Sequence, residues 1–154
     1  MRTVPDLAFL FNHAGHVVST ELTAALAELN TTPRAICVLE HARGAELTQS
    51  RLGELAGLDK TTMVVTMDEL EAAGLAERRP APADRRARVI AVTPAGRKKL
   101  KQAEEISDRI RHDVLSALPE EDRETFVDAL TTLACGRLAE SVQCTAQPRR
   151  RAPR

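Results

Sequence analysis

Between Asp6 and Leu29 the apolar residues Leu7, Leu10, Phe11, Ala14, Val17, Val18, Leu22, Leu26 and Leu29 recur at steps of three and four. That spacing predicts one long amphipathic helix. Thr32-Pro33 then supplies a hydroxyl cap followed by proline at the first helical position, and Ile36, Cys37, Leu39 and Glu40 carry a second helix to Gly44. Thr48 can cap a short third helix holding Leu52, Leu55 and Ala56 and closed by Gly57. Asp59 can cap a fourth, whose apolar positions Met63, Met67 and Leu70 lead to a stop at Gly74.

After Gly74 the period changes. Residues 75–79 and Arg88-Val89-Ile90-Ala91-Val92 read as two short strands, joined through a long, basic, proline-stiffened tip at residues 80–87. Thr93-Pro94 repeats the cap-and-proline device and opens a helix bearing Leu100, Ala103, Ile106, Ile110, Val114 and Leu118 on one side. From Pro94 to Ala117 such a helix would be roughly 36 Å long. Pro119 breaks it, and a last helix runs from Glu120 through Phe126, Leu130, Leu133 and Leu138. The predicted fold is mainly α with a small β-hairpin: residues 32–93 form one region, and the helices in 6–29 and 94–142 form another.

Composition narrows how such a chain can pack. Its 154 residues fall within the size of one domain, and a hydrophobic share of 43% can fill a core. With no Trp or Tyr and only Phe9, Phe11 and Phe126, that core must be built from Leu, Val, Ile and Ala. No apolar run approaches the roughly 20 residues of a membrane span, and the N-terminus lacks a secretion signal, so a cytoplasmic protein is expected. Cys37, Cys135 and Cys144 are odd in number and outside any CxxC pattern, which offers neither a disulfide framework nor a zinc knuckle.

The 22 basic and 22 acidic residues cancel, which argues against a uniformly basic surface. Their distribution is uneven. Nine basic residues lie between Arg78 and Lys101 (Arg78, Arg79, Arg85, Arg86, Arg88, Arg97, Lys98, Lys99, Lys101) against one acid, Asp84. A second cluster, Arg149, Arg150, Arg151 and Arg154, sits with Pro148 and Pro153 in residues 145–154, a composition that predicts a disordered basic tail.

Two short helices joined by Gly57-Leu58-Asp59, the second leading directly into a basic hairpin, form the pattern of a winged helix-turn-helix. In such units the second helix lies in the major groove, which is about 12 Å wide and admits a helix with its side chains. The candidate DNA-contacting residues on it are Lys60, Thr61, Thr62, Val64 and Val65. Threonine hydroxyls can serve base edges or phosphates, Thr and Val methyls can touch thymine methyls, and Lys60 can neutralise a phosphate. On the hairpin, Arg85, Arg86 and Arg88 repel one another without an anionic partner. A narrow minor groove is such a partner, and Asp84 can hold the Arg86 guanidinium in place. The competing reading is an ordinary surface helix beside a solvated charged loop.

The run Leu52-Gly53-Glu54-Leu55-Ala56-Gly57-Leu58-Asp59-Lys60-Thr61-Thr62-Met63, the segment Asp68 to Arg78, Asp84-Arg85-Arg86-Ala87 and Val92-Thr93-Pro94-Ala95-Gly96 together resemble the multiple antibiotic resistance regulator (MarR) family, most closely over residues 47–96. The resemblance implies a transcriptional regulator without enzymatic activity or cofactor. It implies a homodimer whose first, fifth and sixth helices interlock, and repression at a near-palindromic double-stranded DNA site that small phenolic or carboxylated ligands relieve. It places Thr61 and Thr62 on the recognition helix, and Asp84 and Arg86 at the aspartate–arginine pair of the wing. It departs at Val64 and Val65, where members often carry threonine then arginine. That departure shifts the expected reading from guanine toward thymine methyls, phosphates and DNA shape.

The same resemblance puts a ligand pocket between the dimer helices and the DNA-binding unit, which makes His13 and His16, one turn apart on the first helix, candidate ligand contacts. The alternative is a pair of surface or interface histidines. His13, His41, His112 and Cys37 show no tight ligand spacing, so no metal site is predicted. Cys37 reads as a buried structural thiol, with a thiol-sensing regulator of the same fold as the alternative. No nucleophile–base–acid order or phosphate loop points to an enzyme. A dimeric helical scaffold for protein partners is the remaining rival, and salt-sensitive binding separates the two.

Overall fold

The computed structural model describes residues 6–81 and 88–140. The chain divides into two compact units, residues 1–112 and 113–154. The first contains α1 (Leu7–Glu28), α2 (Pro33–Ala42), β1 (Leu47–Thr48), α3 (Gln49–Leu55), α4 (Lys60–Ala72), β2 (Ala76–Pro80), β3 (Arg88–Val92) and most of α5 (Pro94–Ser116).

The helix starts are built from the expected caps. The side chains of Asp6, Thr32, Thr48 and Asp59 each accept a backbone N–H from the first turn that follows, and Pro33 stands where its missing N–H costs nothing. Thr93 does the same for α5, its hydroxyl oxygen accepting from the N–H of Gly96 at 3.0 Å. Two turns after helices pass through the left-handed region at Gly57 (φ 64°) and Gly74 (φ 68°), where a residue with a Cβ would be strained.

The core of this unit gathers Val38 and Leu39 from α2, Leu52 from α3, Met63, Met67 and Leu70 from α4, Ile90 and Val92 from β3, and Leu100 from α5. The hairpin expected from the sequence is part of a three-stranded antiparallel sheet of order β1-β3-β2. Strand β1 was not anticipated: it has two residues, pairing Leu47 with Ile90 and Thr48 with Val89, too few for any alternation to register in sequence. Strand β2 starts at Ala76 rather than Leu75, whose amide closes the turn after α4 by donating to the Leu70 carbonyl at 2.9 Å; the Leu75 carbonyl accepts the N–H of Thr93 at 3.1 Å, one step beyond the Ala76–Val92 pair. This ties the start of α5 to the turn that ends α4.

Helix α1 is packed only near its C-terminal end, where Leu26 is buried; from Leu7 to Thr20 every residue is exposed. In the second unit α6 (Glu120–Cys135) opens at Pro119 with three acids, Glu120, Glu121 and Asp122, in its first turn, where they complement the helix dipole. None of its residues is buried, and Leu138 lies beyond its end rather than within it.

Candidate nucleic-acid interface

Helix α4 has two faces of opposite character. Met63, Thr66, Met67 and Leu70 are turned into the core, which leaves Lys60, Thr61, Val64 and Val65 exposed along the opposite side. Valines are normally interior residues, yet these two are 37% and 48% exposed on a helix whose inner face is fully packed. Four of the five helix residues expected to read DNA are therefore brought together on one accessible stripe.

Thr62 differs from the other four. It is only half-exposed, and its hydroxyl donates to Asp59 Oδ2 at 2.6 Å while its amide donates to Asp59 Oδ1 at 3.0 Å. The hydroxyl and amide of Thr62 together hold the Asp59 carboxyl below its ordinary value of 3.8. The hydroxyl proton of Thr62 thus belongs to the helix cap, which leaves its methyl and a lone pair for a partner. One turn later Thr66 donates its hydroxyl to the Thr62 carbonyl at 2.7 Å, the usual way for a buried threonine to satisfy itself.

The basic strip resolves into different environments. Arg88 is exposed at the start of β3, opposite Pro80. Arg79 pairs with Glu77 on its own strand. Arg97 donates to the Val92 carbonyl at 3.0 Å, and Lys99 to the Leu29 carbonyl at 2.7 Å, so both are spent on joining elements. Arg78 points toward the helices and is engaged by acids of α4. Counted as a basic strip in the sequence, these residues are in large part internal fasteners. Asp84, Arg85 and Arg86 lie outside the described residues, as does Cys144.

Between α3 and the start of α4 lies a cavity of about 500 Å³ lined by Gln49, Ser50, Gly53, Glu54, Leu58, Lys60 and Met63. His13 and His16 are both exposed on α1, and the His13 ring stacks on Phe9 with centroids 5.6 Å apart. Cys37 is half-buried on α2 rather than fully buried, and Cys135 is exposed. Among the described residues no helix is long and apolar enough to cross a membrane.

A helix with a packed inner face and a bare outer one, preceded by a short helix and followed by the hairpin of a three-stranded sheet, defines a winged helix-turn-helix DNA-binding protein. Residues 29–87 match the MarR family. Over that segment the chain resembles this family of transcriptional regulators. It is 21% identical over 128 residues, 83% of this chain and 77% of the other, to an uncharacterized HTH-type transcriptional regulator, YdgJ, of Bacillus subtilis (strain 168). Its fold is similar to that of CouR from Rhodococcus jostii RHA1 bound to p-coumaroyl-CoA: TM-score 0.69 at 29% identity, over 84% of this chain and 92% of that one. The repressor CouR on a 23-mer DNA duplex has the same fold, with a TM-score of 0.72 at 24% identity and the same coverage.

Proposed function

We propose that this regulator is a ligand-responsive repressor that binds a near-palindromic operator as a homodimer. The observation that carries the reading is the bare stripe of Lys60, Thr61, Val64 and Val65 on a recognition helix whose other face is fully buried. In the groove, the valine and threonine methyls meet thymine methyls and Lys60 meets a phosphate. Arg88, with Arg85 and Arg86 of the wing, enters the adjacent minor groove, and Asp84 orients Arg86.

Two further features support the dimer and the ligand. Helix α1 exposes Leu7, Phe9, Leu10 and Val17, and α6 exposes Phe126, Leu130 and Leu133, more bare apolar surface than a monomer of this size keeps. The helical regions 6–29 and 94–142 are the dimerisation region of this reading, and residues 32–93 the DNA-binding region. CouR holds an aromatic acyl thioester, and a small phenolic or carboxylated ligand is the corresponding effector here, with His13 and His16 as its contacts. Such a ligand releases DNA only through a difference in affinity for the two states of the dimer.

The test begins with genomic fragments selected by the purified protein, followed by fluorescence anisotropy on the selected site at two salt concentrations. Arg86→Ala should weaken binding more than Lys60→Ala, since the first removes a groove contact and the second one screened phosphate contact. Asp84→Ala should share part of the Arg86→Ala defect, although removing an acid near a polyanion would otherwise tighten binding. Tighter binding by Asp84→Ala, or normal binding by Arg86→Ala, would rule out the minor-groove wing. Titrating p-coumaroyl-CoA, its free acid and related aromatic carboxylates into the complex tests the ligand; a panel that never displaces DNA removes that part of the proposal.

A further inference from the structure

Arg78 stands out among the basic residues for what surrounds it. It pairs across the sheet with Ile90, one of the most deeply buried core residues, and cross-strand partners share a face of the sheet. Its side chain is directed toward the helices, as its partners there show. There its Nε donates to Gln49 Oε1 at 3.0 Å, at the first residue of α3. One terminal nitrogen donates to Asp68 Oδ1 at 2.8 Å, and the other to Glu71. The Glu71 carboxylate also accepts the backbone N–H of Arg78 at 2.8 Å. One guanidinium thus joins three elements: both helices of the helix-turn-helix and the first strand of the hairpin.

Asp68 and Glu71 are three residues apart on α4 and lie on one side of it, so a planar fork of donors can hold both at once. A lysine in the same place offers a point charge and cannot maintain all three directions. The side chain is 26% exposed and its charge faces two carboxylates, which leaves it little to offer a phosphate. Position and charge separate here: Arg78 is basic and lies beside the recognition helix, yet its charge is used within the protein.

We infer that Arg78 is a positioning residue for DNA recognition, which fixes α4 against α3 and β2 and thereby sets the sequence discrimination of the helix without itself neutralising a phosphate. The inference rests on the DNA-binding reading of α4. Its consequences differ from those of a phosphate contact. Losing a phosphate contact weakens all sequences alike and lowers the salt slope by about one per bound copy. Losing a strut leaves the slope intact and blurs the difference between right and wrong sites.

The experiment compares Arg78→Gln, Arg78→Lys and Asp68→Asn with the unmodified protein, measuring affinity for the selected operator and a mismatched one across a salt series. For Arg78→Gln the ratio of the two affinities should fall about tenfold with an unchanged salt slope, and Arg78→Lys should recover only part of the ratio. Asp68→Asn should bind every duplex more tightly, having lost a negative charge, while discriminating less. Amide exchange in the absence of DNA is the second measurement: residues 68–72 of α4 should exchange about tenfold faster in Arg78→Gln. A salt slope reduced by one per copy, or an unaltered operator ratio, would overturn the assignment. Should Arg78→Gln fail to fold, Asp68→Asn at its exposed position carries the same comparison. An unmodified protein with no affinity for any duplex would overturn the DNA-binding reading itself; the exchange measurement, made without DNA, tells that result apart from a network that does not hold α4.

Discussion

Asp59 shows how one side chain can fix the start of the helix proposed to read DNA. Its carboxylate accepts two bonds from Thr62, and those bonds favour the charged form, so the group titrates below the ordinary carboxylate range. A depressed folded pKa contributes stability that is present above the unfolded carboxylate value and is lost as pH falls through the lower, folded one. The start of α4 should consequently loosen only in acid, below about pH 4. Carbon NMR of the Asp59 carboxyl would follow this. Thr62→Val should move its titration back toward the ordinary value by removing the side-chain donor, and an unshifted curve would mean that the Thr62 hydroxyl does not hold Asp59. The same substitution tests DNA reading, because it keeps the methyl group while removing the hydroxyl.

Among the elements, the α4–β2 turn and the start of α5 meet closely. Thr93 donates its hydroxyl to the Gly74 carbonyl at 2.7 Å and its amide to the Leu75 carbonyl, which draws the first turn of α5 onto that backbone. Gly96 faces it with no room to spare: an added Cβ would collide with the Leu75 carbonyl oxygen and lie 2.8 Å from Val92 Cγ1. The obstacle is largely backbone, which cannot rotate away as a side chain would. Gly96→Ala should therefore destabilise the protein by about 3 kcal/mol, the upper end of overpacking costs, despite the better helix propensity of alanine. Denaturant unfolding would measure it, and a neutral result would mean that α5 can move away from the turn at little cost. Gly15 is the control, since an added Cβ there meets nothing and Ala should be tolerated on α1.

At the scale of the molecule, the exposed apolar residues of α1 and α6 define what remains to be covered. Phe126 is 46% exposed and Leu7 64%, and neither helix has a partner over these residues within its own compact unit. A second copy would cover them at a symmetric interface, in which the same patch serves both subunits. Sedimentation at low micromolar concentration should give a dimer, and Phe126→Asp, which buries a charge in that interface, should shift it toward monomer by at least tenfold in dissociation constant. A well-folded unmodified monomer at these concentrations would refute the homodimer. In the proposed dimer two subunits would read half-sites about 34 Å apart, one turn of the double helix.

The elements themselves were legible in sequence because helix periodicity, hydroxyl or carboxylate caps and glycine stops are local signals. Thr32, Thr48, Asp59 and Thr93 each occupy the capping position that their neighbours require, and Gly57 and Gly74 supply the left-handed turns. The exposed stripe of α4 was legible for the same reason, since burying Met63, Met67 and Leu70 forces Val64 and Val65 outward at 100° per residue. What only the tertiary structure decided was the use of charge and the pairing of distant segments. Arg78, Arg79 and Arg88 are alike in the sequence. The sheet turns Arg78 onto α3 and α4, pairs Arg79 along its own strand and leaves Arg88 in solvent. Strand β1 exists only because Leu47 meets Ile90 across 43 residues of chain, a contact with no local trace. Local pattern determines which residues form a helix; the direction of a long charged side chain is set by whatever the rest of the fold brings within its reach.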